Sequence, residues 1–363
     1  RGGAADIALR VATIAGITVP SFWLGIVMIL ALATLAPGFA SLGHVPFAQD
    51  PLGNLQRMLL PSLALGLPIL ASLSRLVRTA MLDALGQDMR DMLRRQPLLC
   101  FALALVVLQF ALALLAPWIA PYDPLTQTVI RRLKPPNAQH WLGTDQLGRD
   151  VLSRILHGYR GSLAISGGAV ALSMVAGGAL GMISAYRRGW PERIVMRVMH
   201  VLFAFPLMLL AIGIIAILGP QPWTTAVAIA VVYTPIFARL IRAPALVIAD
   251  SEYVAGAKAI GASDTRILLR HMLPNLASIL LVQASLLLSA AILVEASLSF
   301  LGLGTQPPTP SLGLMLSEGR NFLMLGPWPA VFAGFAILFL SFGFNLLGDA
   351  LRDTLDPRLR KLS

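Results

Sequence analysis

Between Arg197 and Arg239 the chain runs from Val198 to Ala238 without a single Asp, Glu, Lys or Arg. A helix crosses the hydrocarbon core of a bilayer in about 20 residues, so this stretch is too long for one crossing and suits two joined by a tight turn. Gly219, Pro220, Gln221 and Pro222 supply that turn. Helices at the surface of a water-soluble fold need a polar face, which so long an uncharged run cannot provide. The chain is therefore read as an integral membrane protein. Its composition agrees: 57% of residues are hydrophobic and 12% charged, against about 25% charged in an ordinary soluble domain.

Apolar windows of spanning length recur, eight in all with the two above. The first runs from Val11 to Leu35 and is interrupted by Pro20; the second runs from Met58 through Leu73 to the basic pair Arg75 and Arg78. The third occupies Pro97 to Ile119 and the fourth lies within Gly161 to Tyr186. After the uncharged pair come a seventh from about Leu276 to Val294 and an eighth from about Pro329 to Leu347. The expected fold is an all-α, polytopic helical bundle of about eight transmembrane helices.

The net charge of +11 does not point to nucleic acid, because the basic residues flank the apolar windows instead of lining one polar face. The lipid bilayer is the expected surrounding. Basic residues also set orientation. With Arg90, Arg94 and Arg95 inside, the inside receives 20 Lys and Arg and the outside 8, and both termini are expected in the cytoplasm. Cys100 stands alone in an apolar run, and the five histidines are scattered, so neither a disulfide framework nor a metal site is expected. The sequence contains no Gly-x-x-x-x-Gly-Lys-Ser/Thr loop to cradle phosphates, so no cofactor is expected on this chain and any ATP would be hydrolysed elsewhere. It opens at Arg1 without Met or a secretory leader, which reads as a truncation or an excised piece.

Two polar segments are candidates for function. One, from Ala120 to Tyr159, is the longest outward loop and is expected to fold as a small cap. The other follows the sixth window and runs from Asp250 to Asn275. It is amphipathic, and Ala257 and Gly261, four apart, are expected to leave a shallow face beside Lys258, Arg266 and Arg270. Within the fourth window Gly177 and Gly181 form a GxxxG spacing that lets another helix approach closely.

The 250–275 segment resembles the coupling loop of ABC importer permeases, whose pattern is Glu-Ala-Ala, three residues, Gly, nine residues, Ile, one residue, Leu-Pro. Ala257 stands at the second alanine, Gly261 at the glycine, and Leu273 and Pro274 at the closing pair. Ala255 replaces the glutamate, Gly256 the first alanine and His271 the isoleucine, although a histidine before Leu-Pro-Asn is usual in the peptide-permease branch. Asp264 lies inside the same loop. The stretch from Trp141 to Arg154, with Gly143, Thr144, Asp145, Gly148, Arg149 and Asp150, is similar to the external signature of that branch. Glu295 to Gly304, Pro307 to Ser311 and Gly348 to Arg358 are similar to its later stretches. On these residues the chain resembles the dipeptide/oligopeptide permeases of bacterial inner membranes, which have the type I ABC importer transmembrane fold.

The first ninety residues differ. Ile17 to Gly25, Leu59 to Leu63 and Ser74 to Asp83 resemble the middle of the sister permease, without its early spans, coupling loop or last two spans. The expected organisation is a two-span sister-permease segment in residues 1–90 followed by a complete six-span permease in residues 91–363. The resemblance implies two cytoplasmic ATPase subunits that use ATP and Mg, a sister permease, an extracytoplasmic substrate-binding protein, and alternating access for peptides or similar small solutes.

Glu295, the one acidic residue near the end of an otherwise uncharged window, has two readings: it lines the pathway or outer gate and meets a peptide amine, or it braces the loop before Pro307. Rival readings of the whole chain are a secondary transporter or channel, which would carry paired charges or broken helices at mid-membrane, a noncatalytic membrane scaffold, and an inactive fused remnant. No Ser, His and carboxylate recur at spacings that suggest a catalytic triad.

Overall fold

The computed structural model describes residues 11, 13–35, 50, 64 and 89–355. Its main helices are α1 (Ser21–Leu35), α2 (Met89–Ile119), α3 (Val151–Arg187), α4 (Trp190–Ala204), α5 (Leu207–Leu218), α6 (Pro222–Ala249), α7 (Glu252–Ala259), α8 (Asp264–Phe300), α9 (Leu312–Arg320) and α10 (Trp328–Leu355). Among the described residues five are long and apolar enough to cross a membrane, or six if the bent pair α4–α5 counts as one span. Those six coincide with the third to eighth windows. The second window, apart from Ala64, lies outside the described residues, as do Arg75, Arg78 and residues 356–363.

Prolines set several of the breaks. A proline disfavours helical geometry in the residue before it. The helix through Thr18 stops at Val19 and Pro20 before α1 resumes, as the interruption in the first window predicts. The fifth window is not one straight span: Phe205 is extended (φ −80°, ψ 139°) before Pro206, and α4 and α5 bend by 96°. A broken helix was the mark expected of a secondary transporter, but this break carries no charge. In α8 the residues Ile267–Met272 widen to a π-helical turn just ahead of Pro274. Proline cannot donate to the preceding turn, and the side-chain Nδ2 of Asn275 instead donates to the carbonyl of His271 at 2.7 Å.

The deepest crossing joins α3 to α6. A Cβ added at Gly177 would lie 2.4 Å from the Thr234 carbonyl oxygen, and one at Gly181 would lie 2.6 Å from that of Ala238. The GxxxG spacing thus performs the close approach expected of it. Around this crossing lies one apolar core that includes Tyr233, Phe237 and Ile241 and extends to Val254, Ala257, Ile267 and Met272. A second core, at the opposite end of α3, gathers Val151, Ile155 and Tyr159 with Leu312, Met315, Ala330 and Ala333.

Helix α1 is part of the second core. Trp23 is 4% exposed and lies over Gly334 of α10, where a Cβ would come within 1.6 Å of the indole nitrogen. Phe22 stacks on Phe300 at 5.0 Å, and Trp23 meets Phe335 edge-on at 4.9 Å. A side chain larger than hydrogen at position 334 would exclude the indole.

Candidate functional site

The 250–275 segment folds as α7, a tight turn and the first turns of α8. Helix α7 ends because Gly261 adopts φ +78°, a left-handed conformation that favours glycine. The amide of Ala262 donates to the carbonyl of Ala257 at 3.0 Å, and that of Gly261 to Lys258 at 3.0 Å, which is a Schellman closure. The next helix starts at once: Ser263 caps it by accepting from the Arg266 amide at 3.4 Å, and Asp264 is its first residue.

This geometry corrects the expected docking face. Ala257 and Gly261 do not share one face, because Gly261 lies beyond the end of α7. Ala257 is 7% exposed and, with the fully buried Val254, packs on the apolar core. The bare outward surface is formed by Ala255, Gly256 and Ala259 beside Ile260, which is 86% exposed. Nothing lies within 4 Å of a Cβ placed on Gly256. Leu273 is half-buried and Pro274 exposed on the helix that leads back into the bundle.

Asp264 carries a role its sequence position does not disclose. Its carboxylate accepts the Tyr186 hydroxyl at 2.9 Å and Arg187 at 3.2 Å, both from the end of α3. The Lys258 ammonium lies 4.4 Å from the centroid of the Tyr186 ring. Nearby, Arg188 pairs with Asp250 at 2.5 Å. Tyr186 was not singled out in the sequence, where an aromatic beside two arginines at a window's end reads as an interfacial anchor.

At the other end of α3 the segment from Ala120 folds, as expected, into a small cap. Gly143 (φ +77°) and Gly148 (φ +73°) turn the chain where Cβ atoms would strike the Lys134 and Thr128 carbonyls. Thr144 and Asp150 form an isolated antiparallel bridge, and the Thr144 side chain receives the Lys134 amide at 2.9 Å. Asp150 accepts the Ser153 amide and hydroxyl, each at 2.8 Å, and so caps α3. His140 meets its other oxygen at 2.9 Å.

Asp145 is fully buried and accepts the amides of Leu147 and Arg149 at 2.9 Å, the Arg149 Nε at 2.6 Å, and the Arg154 guanidinium. Glu318 on α9 receives both arginines, at 3.0 Å from Arg149 and 3.1 Å from Arg154. The six signature residues therefore build the cap and tie it to α9. Glu318 was missed, although it is the only acidic residue between Glu295 and Asp349.

Glu295 is fully buried. It accepts the hydroxyls of Ser162 and Ser299 at 2.8 Å and that of Ser311 at 3.5 Å. Ser311 lies just past the Pro307 loop, so in this conformation the carboxylate braces that loop and presents no exposed atom to a substrate. Among the described residues no group of His, Cys, Asp and Glu could hold a metal ion.

Residues 1–95 and 177–361 match the family described as binding-protein-dependent transport system inner membrane component. Together they make up more than half of the chain. The protein belongs to this family of transport permeases. Residues 84–136 also match the N-terminal transmembrane domain of oligopeptide transport permease C. The permease is 45% identical over 256 residues to the glutathione transport system permease protein GsiD of Pectobacterium atrosepticum, covering 70% of this chain and 85% of the relative. It is 40% identical over 268 residues to the dipeptide transport system permease protein DppC of Alkalihalophilus pseudofirmus, covering 74% and 88%. GsiD of Escherichia coli O157:H7 is 44% identical over the same length. The permease is thus a multi-pass inner-membrane subunit of an ABC importer with the type I transmembrane fold, and its family is one of transport proteins, not catalysts.

Proposed function

We propose that this permease forms the translocation pathway with a sister permease and takes its energy from two ATPase subunits that dock on the surface formed by Ala255, Gly256 and Ile260. The observation that carries the reading is the small-residue face of α7: open on its outer side, anchored through Val254 and Ala257 on its inner side, and closed by the Gly261 turn. A rigid, bare helix held against the bundle suits the transfer of a push from a partner. On this reading the 250–275 side faces the cytoplasm together with both termini, and the cap faces an extracytoplasmic binding protein. ATP and Mg belong to the ATPases. ATP-driven closure shifts the population of the bundle between inward- and outward-facing states. Relatives named for glutathione and dipeptide transport support a solute of the peptide class.

We assign residues 1–90 to a sister-permease segment and residues 91–363 to a six-span permease domain. The match of the permease family to two separate stretches, with the permease C match over residues 84–136 starting near the end of the first, supports that division.

The test is co-purification of the ATPases encoded beside this gene. Gly256→Arg fills the open surface without a left-handed backbone to strain, so it is expected to abolish ATPase recovery while the chain stays monodisperse in detergent. Unchanged recovery would refute docking at α7. Gly261→Arg is the poorer probe, because it adds backbone strain to any loss of contact.

A further inference from the structure

Tyr186 is the residue at which three elements meet. It lies in the last turn of α3, its ring lies under Lys258 of α7 at 4.4 Å, and its hydroxyl donates to Asp264 of α8 at 2.9 Å. Lys258 and Asp264 stand on the two sides of the Gly261 turn. One side chain of α3 therefore holds both arms of the turn, and Arg187 adds a second hold on Asp264 at 3.2 Å. Arg188–Asp250 fastens the segment before α7 to the same end of the bundle.

Helix α3 is well placed to carry a displacement onward. At 37 residues and about 1.5 Å per residue it is about 55 Å long. Gly177 and Gly181 bring it into backbone contact with α6, so the pair can shift only as one packed body. Its far end carries Arg154, which pairs with Asp145 in the cap and Glu318 on α9. Glu295 joins it to α8 through Ser162 partway along.

We propose that Tyr186 is a positioning residue that latches both sides of the coupling turn to α3, so that movement of α7 is delivered through the α3–α6 body to the Arg154–Glu318 contact at the cap. This inference rests on docking of the ATPases at α7. The ring and the hydroxyl act separately: the ring steadies Lys258, and the hydroxyl fixes Asp264. Both contacts are partly open to water, which makes the latch a modest, graded device instead of an all-or-none lock.

The experiment uses the full chain assembled with its ATPases and sister permease in liposomes, comparing Tyr186→Leu, Tyr186→Phe and Asp264→Asn with the unaltered protein. ATPase recovery is expected to be equal in all four. Solute transported per ATP hydrolysed should fall about threefold to tenfold in Tyr186→Leu and less in Tyr186→Phe, which keeps the ring. In a Cys100→Ser background, spin labels at the exposed positions Gln139 and Met324 should change separation on ATP binding in the unaltered protein and by clearly less in Tyr186→Leu. An unchanged transport ratio and an unchanged label response in Tyr186→Leu would overturn the latch while leaving the docking surface intact. Failure of the unaltered chain to recover the ATPases would overturn both. Asp264→Asn keeps the test open if Tyr186→Leu does not assemble.

Discussion

Replacing Asp145 by Ala should open the cap far more than replacing Glu318, its counterpart across the arginine pair. Asp145 is fully buried and holds two backbone amides and two guanidinium groups, while Glu318 is one-fifth exposed and holds only the two guanidinium groups. Arg154 is 1% exposed, and its Nε and second terminal nitrogen have no partner among the described residues. Without Asp145 the two cations would share Glu318 alone. Removing one partner of a buried ion pair costs about 3–5 kcal/mol, because the other charge is left uncompensated. Removing Glu318 leaves both arginines with Asp145 and relaxes toward water, which places its cost nearer about 1 kcal/mol. The difference of roughly 2–4 kcal/mol corresponds to about 30-fold or more in the equilibrium for local opening. Trypsin reads that equilibrium at the exposed Arg131 and Arg132, provided the cap recloses faster than it is cut. Cleavage in Asp145→Ala should exceed that in Glu318→Ala by about 30-fold or more. Equal rates, or faster cleavage in Glu318→Ala, would refute the view that the buried carboxylate organises the cap.

Two further outcomes test the bundle. Gly181→Leu should fail to yield a monodisperse protein, since its Cβ would meet the Ala238 carbonyl oxygen at 2.6 Å, whereas Gly168→Leu, with nothing within 4 Å, should purify normally; size-exclusion profiles decide, and a normal Gly181→Leu would remove the α3–α6 crossing. Glu295→Ala should raise hydrogen exchange across residues 301–311, because three hydroxyls lose their shared acceptor at about 1–3 kcal/mol, while Glu295→Gln should exchange and transport nearly as the unaltered protein does. A well-folded Glu295→Gln that no longer transports would return Glu295 to the pathway.

Much of the bundle was legible because a bilayer enforces a local rule: every backbone group must be satisfied within its own helix, so apolar length alone marks a crossing. The six windows from Pro97 onward and the turn at Gly219–Pro222 follow from that rule. So does the GxxxG contact, since a missing Cβ is visible in sequence and only its partner, Ala238 and Thr234, is not. The 96° bend in the fifth window was less legible. Pro206 signals a break, but the angle depends on what packs on either side.

The candidate site divides in the same way. Its residues are proposed from a resemblance, and the shallow face expected of Ala257 and Gly261 is not formed, because a four-residue interval places two side chains together only while the helix continues, and Gly261 ends it. Where a glycine closes a helix, its φ decides which neighbours point outward, and φ is a property of the folded chain.

Sequence by itself therefore determined the membrane setting, the six spans from Pro97 onward and the close approach at Gly177 and Gly181, which rest on hydrophobicity and spacing along the chain, while the family was legible from the resemblance of its motifs. Tertiary structure alone decided that Ala257 packs inward while Ala255 and Gly256 remain bare, that Tyr186 reaches Lys258 and Asp264, that Glu295 accepts from Ser162, Ser299 and Ser311, and that Arg154 meets Glu318 across 164 positions. The physical reason is that a buried charge or a bare surface is defined by its neighbours in space, and those neighbours are brought together only when the helices pack.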